Sequence, residues 1–183
     1  MALPLSRYRF TVHDYHQMAA VGILDEDDRV ELIDGEIVEL PPIGGPHITA
    51  VNRLTELFVM ALHGRAIVQV QNPIRLSEYA EPQPDLSLVR PGAMHYPAWP
   101  ENVLLVVEVA QASLRYDRRV KMPLYAQAGI PETWLLDVVG RRMFVHRDPA
   151  PDGYRTVLTV RGDQPISPLA FPDLVLTVDQ LLR

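Results

Sequence analysis

Glu108 stands inside an apolar run, Val103-Leu-Leu-Val-Val-Glu-Val109. A carboxylate in such a strand must be neutralised, paired or bound to a cation, because an unpaired buried charge is costly. Asp85, separated from it by 22 residues, opens a strand directly after Pro84, and after 12 further residues comes Lys121, the single lysine among 17 basic residues. Acids on neighbouring strands can project side by side, and Mg²⁺ favours one or two carboxylates while keeping waters that a phosphate can displace. The backbone carbonyl of Val109 offers a further oxygen. A nearby ammonium then orients or deprotonates an attacking water, or neutralises charge developing on a phosphate. The structural alternative is an ion pair of Glu108 with Arg118, Arg119 or Lys121, with Asp85 as a turn residue.

These residues need elements to hold them. Thr11 caps a short helix through Met18, and the acidic run Asp25–Asp28 reads as a solvated loop. Two alternating stretches, Arg29–Ile33 and Glu36–Leu40, flank Asp34-Gly35 and predict a hairpin. From Ile48 to Leu62 the apolar residues recur at helical spacing, and His47 stands at the start of that helix. Short strands are expected at Ala66–Val70, Ile74–Leu76 and Asp85–Val89. Val103–Ala110, apolar on both faces, suits a central strand covered on both sides. Asp117–Ala128 is helical with Gly129 as its stop, and Lys121 falls near a helix start because Pro123 is tolerated only in a first turn. Thr133–Val138, Arg142–Arg147 and Tyr154–Val160 form a meander, followed by a short strand near Leu174–Leu176 and a helical turn at Asp179–Leu182. The expected architecture is one α/β domain over residues 1–183, a mixed sheet flanked by helices, with its core at about 10–160 and a C-terminal strand and helix as an appendage.

Composition narrows the chemistry. The 183 residues include no cysteine, which excludes disulfides, zinc–thiolate sites and cysteine nucleophiles. No run approaches a membrane span, and Met1–Phe10 has no signal-peptide core, so the cytoplasm is the expected location. The net charge is −6, but residues 115–147 carry seven basic side chains against three acids. Within them Arg115, Arg118 and Arg119 form the best phosphate-contacting cluster. Asp117 and Tyr125 read as supporting residues and Trp134 as core, and His13 and His16 lack a third ligand. Phosphate-loop, dinucleotide and serine-hydrolase motifs are absent.

Several stretches, in order, resemble the Uma-type restriction endonuclease family of the PD-(D/E)XK nuclease superfamily. They are Val30-Glu-Leu-Ile-Asp-Gly-Glu-Ile37, Pro46-His47, Gln83-Pro-Asp85, Asn102 to Val109, Ser113 to Lys121, and Pro123 to Trp134. The resemblance implies a restriction-endonuclease-like core and a Mg²⁺- or Mn²⁺-dependent site that hydrolyses phosphodiester bonds of nucleic acid, DNA above all. It implies Asp85 and Glu108 as metal-binding acids with the Val109 carbonyl, Lys121 as the catalytic lysine and Glu31 as a further acid. Gln71, Gln83 and His47 become candidate contacts to substrate, and a homodimer is implied. The sequence departs from the parent motif at Ala110, where a lysine would stand two residues after the glutamate, so Lys121 must reach in from the next helix. A nuclease-like module that binds DNA or protein without cutting, and a hydrolase of small phosphoesters, are the competing readings.

Overall fold

Strand β5 (Val103–Ala110) is buried on both faces and organises the rest. Side chains alternate across a strand, so Leu105, Val107 and Val109 join one apolar cluster while Val106 and Ala110 join another. The first cluster is closed by helix α2 (Gly45–Ala61) through Leu54 and Phe58, and the second by Met122 and Tyr125 of helix α4 (Met122–Gln127). Glu108 shares the α4 side by the same alternation. The computed structural model describes residues 7–25, 27–93 and 97–183; of the segments read above, Met1–Ser6 and Glu26 lie outside them.

Six strands lie in sequence order: β3 (Ile67–Val70), β4 (Leu86–Val89), β5, β6 (Glu132–Asp137), β7 (Arg142–Ala150) and β8 (Gly153–Arg161). All neighbours are antiparallel except β5 and β6, which run parallel with Glu108 opposite Leu135. A parallel pair requires a crossover, and here the helical segment 114–127 supplies it. The sheet is therefore mixed and flanked by helices on both faces.

A separate hairpin, β1 (Val30–Ile33) and β2 (Glu36–Glu39), turns at Asp34 and Gly35, whose φ values of 50° and 81° are those the Asp-Gly pair predicts. A side chain at Gly35 would also collide with Arg9. The hairpin is fastened to the loop before β4 by the Glu81 N–H donating to the Leu32 carbonyl at 2.8 Å. Helix α1 (Val12–Ala20) carries the expected Thr11 cap, reciprocated by Asp14.

Two short strands were expected and do not form. Ile74 makes only an isolated bridge to Ala98, and the chain around it is broken by Pro73 and Pro82, which cannot donate to a ladder. Leu176 likewise makes a single bridge, to Ile166, before helix α5 (Val178–Leu181). The crossover also differs from a plain α-helix. A short helix α3 (Leu114–Tyr116) runs into a π-helical turn, Asp117–Lys121, and then into α4, with Pro123 in the first turn of α4.

Candidate functional site

Asp85 immediately precedes β4, beyond the end of its pairing with β5. Its Oδ2 accepts the Val109 N–H at 2.7 Å, which fixes the carboxylate against the C-terminal part of β5. Its Oδ1 lies 2.9 Å from His47 Nε2, within ion-pair reach but off the line of a good hydrogen bond. His47 comes from the first turn of α2, is half-buried and also hydrogen-bonds the Val109 backbone. Asp85 raises the imidazole pKa above its ordinary value, against the opposing pull of burial.

On β5 itself, Glu108 is 4% exposed. Its Oε1 accepts from Lys121 Nζ at 3.1 Å and from the Tyr125 hydroxyl at 2.7 Å. Lys121 donates again to Glu31 Oε1 at 3.0 Å, and the Gln83 N–H reaches the same oxygen at 2.8 Å. The other oxygen of Glu31, Oε2, is buried with no partner. One ammonium therefore sits between two buried acids from the hairpin and the central strand. Burial pushes the Glu108 carboxyl up to about 8, with Lys121 pulling the other way and Asp85 and Asp117 adding to the rise. Burial works to lower the Lys121 ammonium, but Glu108, Glu31 and Asp117 outweigh it and hold the lysine well above its ordinary value. The surrounding acids thus favour its charged form.

The two halves meet in one cavity of 410 Å³. Asp85, Glu108, Val109, Lys121, His47, Gln71 and Gln83 all line it. Gln71, at φ 52°, donates its N–H to the Asp85 carbonyl, and the Gln83 amide donates to the Gln71 carbonyl at 2.5 Å. Glu31 is tied to this group from behind, through Gln83 and Lys121. The ion pair weighed as the structural alternative for Glu108 is thus present, with Lys121, and it sits in the cavity wall.

The arginine cluster lies apart from this cavity. None of Arg115, Arg118 and Arg119 lines the cavity, and Arg118 stacks over the Phe144 ring at 4.8 Å. The helical turn that carries them points Lys121 inward and leaves the arginines exposed. His16 and His13 form no metal group either; His16 pairs with Glu81 at 2.6 Å.

Three contributors escaped sequence reading. Arg29 lines the cavity and its Nη1 donates to the Pro41 carbonyl at 2.5 Å. The loop Pro41–Ile43 forms an apolar wall with Val38 and Leu40. Tyr116 also faces in, its hydroxyl buried without a partner and pushed up to about 12 by burial and by Glu31. In an α-helix Tyr116 and Lys121 would lie about 140° apart, and the π-helical turn changes that relation. Tyr125 was legible as a neighbour of Lys121 from its i, i+4 spacing.

A divalent cation can be tested against these donors. No group of three or more His, Cys, Asp or Glu side chains converges as a metal cage among the described residues. The donor set is two carboxylates and a backbone carbonyl, all hard oxygens, with a second buried acid whose Oε2 lacks a partner. That composition fits a hydrated Mg²⁺ or Mn²⁺, which needs few protein ligands, and it fits no soft metal.

The mixed sheet, helices on both faces and acids at the end of a central strand define a restriction-endonuclease-like α/β fold. The chain belongs to the Uma2 family, described as “Putative restriction endonuclease”, whose model matches residues 12–179. Its fold is similar to a crystal structure of “a putative nuclease belonging to DUF820” from Anabaena variabilis ATCC 29413, with a TM-score of 0.75 and 15% identity. That match covers 94% of this chain and 97% of the other. No curated protein matches the sequence.

Proposed function

We propose that the protein is a divalent-metal-dependent nuclease that hydrolyses DNA phosphodiester bonds by attack of water. The observation that carries this reading is the position of Lys121 Nζ, bridging Glu31 and Glu108 at 3.0 and 3.1 Å in a cavity shared with Asp85. The ammonium missing at Ala110 is supplied from the helix instead. Asp85, Glu108 and the Val109 carbonyl would hold Mg²⁺ or Mn²⁺. Such a cation, when bound, polarises a phosphoryl oxygen and makes water a better nucleophile.

The protein's own residues have distinct tasks. Lys121 remains charged and stabilises negative charge that builds on the phosphate, at a place where low dielectric strengthens the effect. Tyr125 and Lys121 fix Glu108 through one oxygen, which orients the other. The Val109 N–H does the same for Asp85. Glu31, behind the cavity wall, holds the Lys121 ammonium and the Gln83 N–H through one oxygen and so sets the position of the lysine.

The test is cleavage of supercoiled and single-stranded DNA with Mg²⁺ or Mn²⁺ by wild type, Asp85→Ala and Lys121→Ala purified in parallel. Activity present in wild type and lost in both variants supports the assignment. Equal activity in all three identifies a contaminant, and absence of cleavage in wild type refutes the nuclease.

A further inference from the structure

The size, wall and charge of the cavity bear on what can enter it. Glu108 and Lys121 are each 4% exposed, so a phosphate reaches them only from inside the cavity. The volume of 410 Å³ equals a cube about 7 Å on edge. A space of that order holds one nucleotide unit, while the stacked bases of an intact duplex stay outside it.

Part of the cavity wall is apolar. Val38, Leu40, Pro41, Pro42 and Ile43 line it, and the last three are exposed to solvent. An apolar face beside a phosphate site suits an unstacked base, whose ring must lie against something once it leaves its neighbours. A duplex keeps its bases stacked inside and has no use for such a wall.

Charge points the same way. Duplex binding gathers many phosphate contacts from lysine and arginine. The cavity lining holds Glu39, Asp85, Glu108 and Asp117 against Arg29 and Lys121, and Lys121 is already engaged by two acids. Arg29 is the one further cation of the lining, while Arg115, Arg118 and Arg119 lie outside it. The cavity is built to take one phosphodiester with its nucleoside and is poorly built to track a double helix.

We infer that the substrate of this site is a phosphodiester next to an unpaired nucleotide, its base resting on the Leu40–Ile43 wall. This rests on the nuclease reading and deepens it. The experiment compares four substrates of matched sequence with Mn²⁺: a single strand, a blunt duplex, a duplex with an internal unpaired loop, and a free dinucleotide. The expected result is cleavage of the single strand and of the loop at least tenfold faster than the blunt duplex. Leu40→Ala combined with Ile43→Ala is expected to raise KM for the single strand several-fold with a smaller change in kcat. Equal or faster cleavage of the blunt duplex overturns the inference, as does an unchanged KM in the double variant. A dinucleotide cut as efficiently as the strand would make a small free phosphodiester the substrate and overturn it too.

Cleavage of none of the four is the failure of the nuclease reading itself. Fluorescence anisotropy with the same oligonucleotides then decides the inference alone. Tighter binding of the unpaired strand, weakened in the wall variant, supports it; equal or duplex-favouring binding, or no binding, refutes it.

Discussion

Replacing Lys121 by methionine keeps the length of the side chain and removes its charge. Both hydrogen bonds to Glu31 and Glu108 are lost, and two acids that are 1% and 4% exposed are left facing each other without a cation. Removing one member of a buried ionic group costs about 3–5 kcal/mol, because the remaining charge stays uncompensated. With a urea m-value of about 2 kcal/mol/M, the midpoint falls by roughly 1.5–2.5 M. The loss depends on pH. In the wild type the Glu108 pKa is raised to about 8, so its contribution is fully present below the ordinary carboxylate range and is lost as pH climbs through about 8. Without the lysine's opposing pull the carboxyl rises further, so the extra loss in the variant opens as pH passes about 8. Below that the carboxyl is protonated in both proteins, which relieves the repulsion and leaves about 1–2 kcal/mol for the missing hydrogen bonds. Urea unfolding followed by circular dichroism at pH 5, 7, 8 and 9.5 reads this directly. Adding Glu31→Gln to Lys121→Met should recover part of the loss at pH 9.5, as coupled neighbours do. Equal losses at pH 5 and pH 9.5, or a strictly additive double variant, would refute the reasoning.

Glu108→Gln imitates the protonated carboxyl, so its stability should change little at pH 5 and gain on the wild type as pH rises to 8; a gap that does not widen with pH sinks the assignment. Glu132 is a buried acid of the opposite kind, fully satisfied by Trp134, Arg147 and the Leu169 N–H at 2.9, 2.8 and 2.6 Å. Glu132→Ala should lower stability by about 3 kcal/mol while cleavage per folded molecule stays at the wild-type level, measured well below the melting temperature. Because Lys121 is the only lysine, amine acylation counted by intact mass should add a label at the N-terminus alone in the folded protein and a second only in urea. Rapid double labelling under native conditions would contradict the buried ionic group.

Patterns that depend on alternation or on turn chemistry were legible in the sequence. Val103–Ala110 reads as a central strand because both of its faces are apolar, and the hairpin follows from Asp34-Gly35, which must adopt positive φ. Asp85, Glu108 and Lys121 were legible because each is a charged residue whose surroundings or spacing singled it out, whereas Glu31 came only from the family resemblance. What the chain hid is direction. Basic residues counted along Arg115–Arg119 say nothing of which way they face, and three of them turn out to be exposed while Lys121 points in. The short segment Ile74–Leu76 has a strand's composition but not the uninterrupted donors that pairing requires. The apolar wall at Pro41–Ile43 was read only as loop, since its partners across the cavity are distant in sequence.

The π-helical turn Asp117–Lys121 makes the site sensitive to length as well as to composition. Losing one residue there would let the neighbouring segments join as a single regular helix. Each residue of an α-helix advances about 100°, so the ammonium would swing out of its place between the two acids. A chain shortened by one residue at this point would keep its sheet and lose its lysine from the cavity. Insertions and deletions, usually harmless in loops, would here separate folding from chemistry more cleanly than most point substitutions.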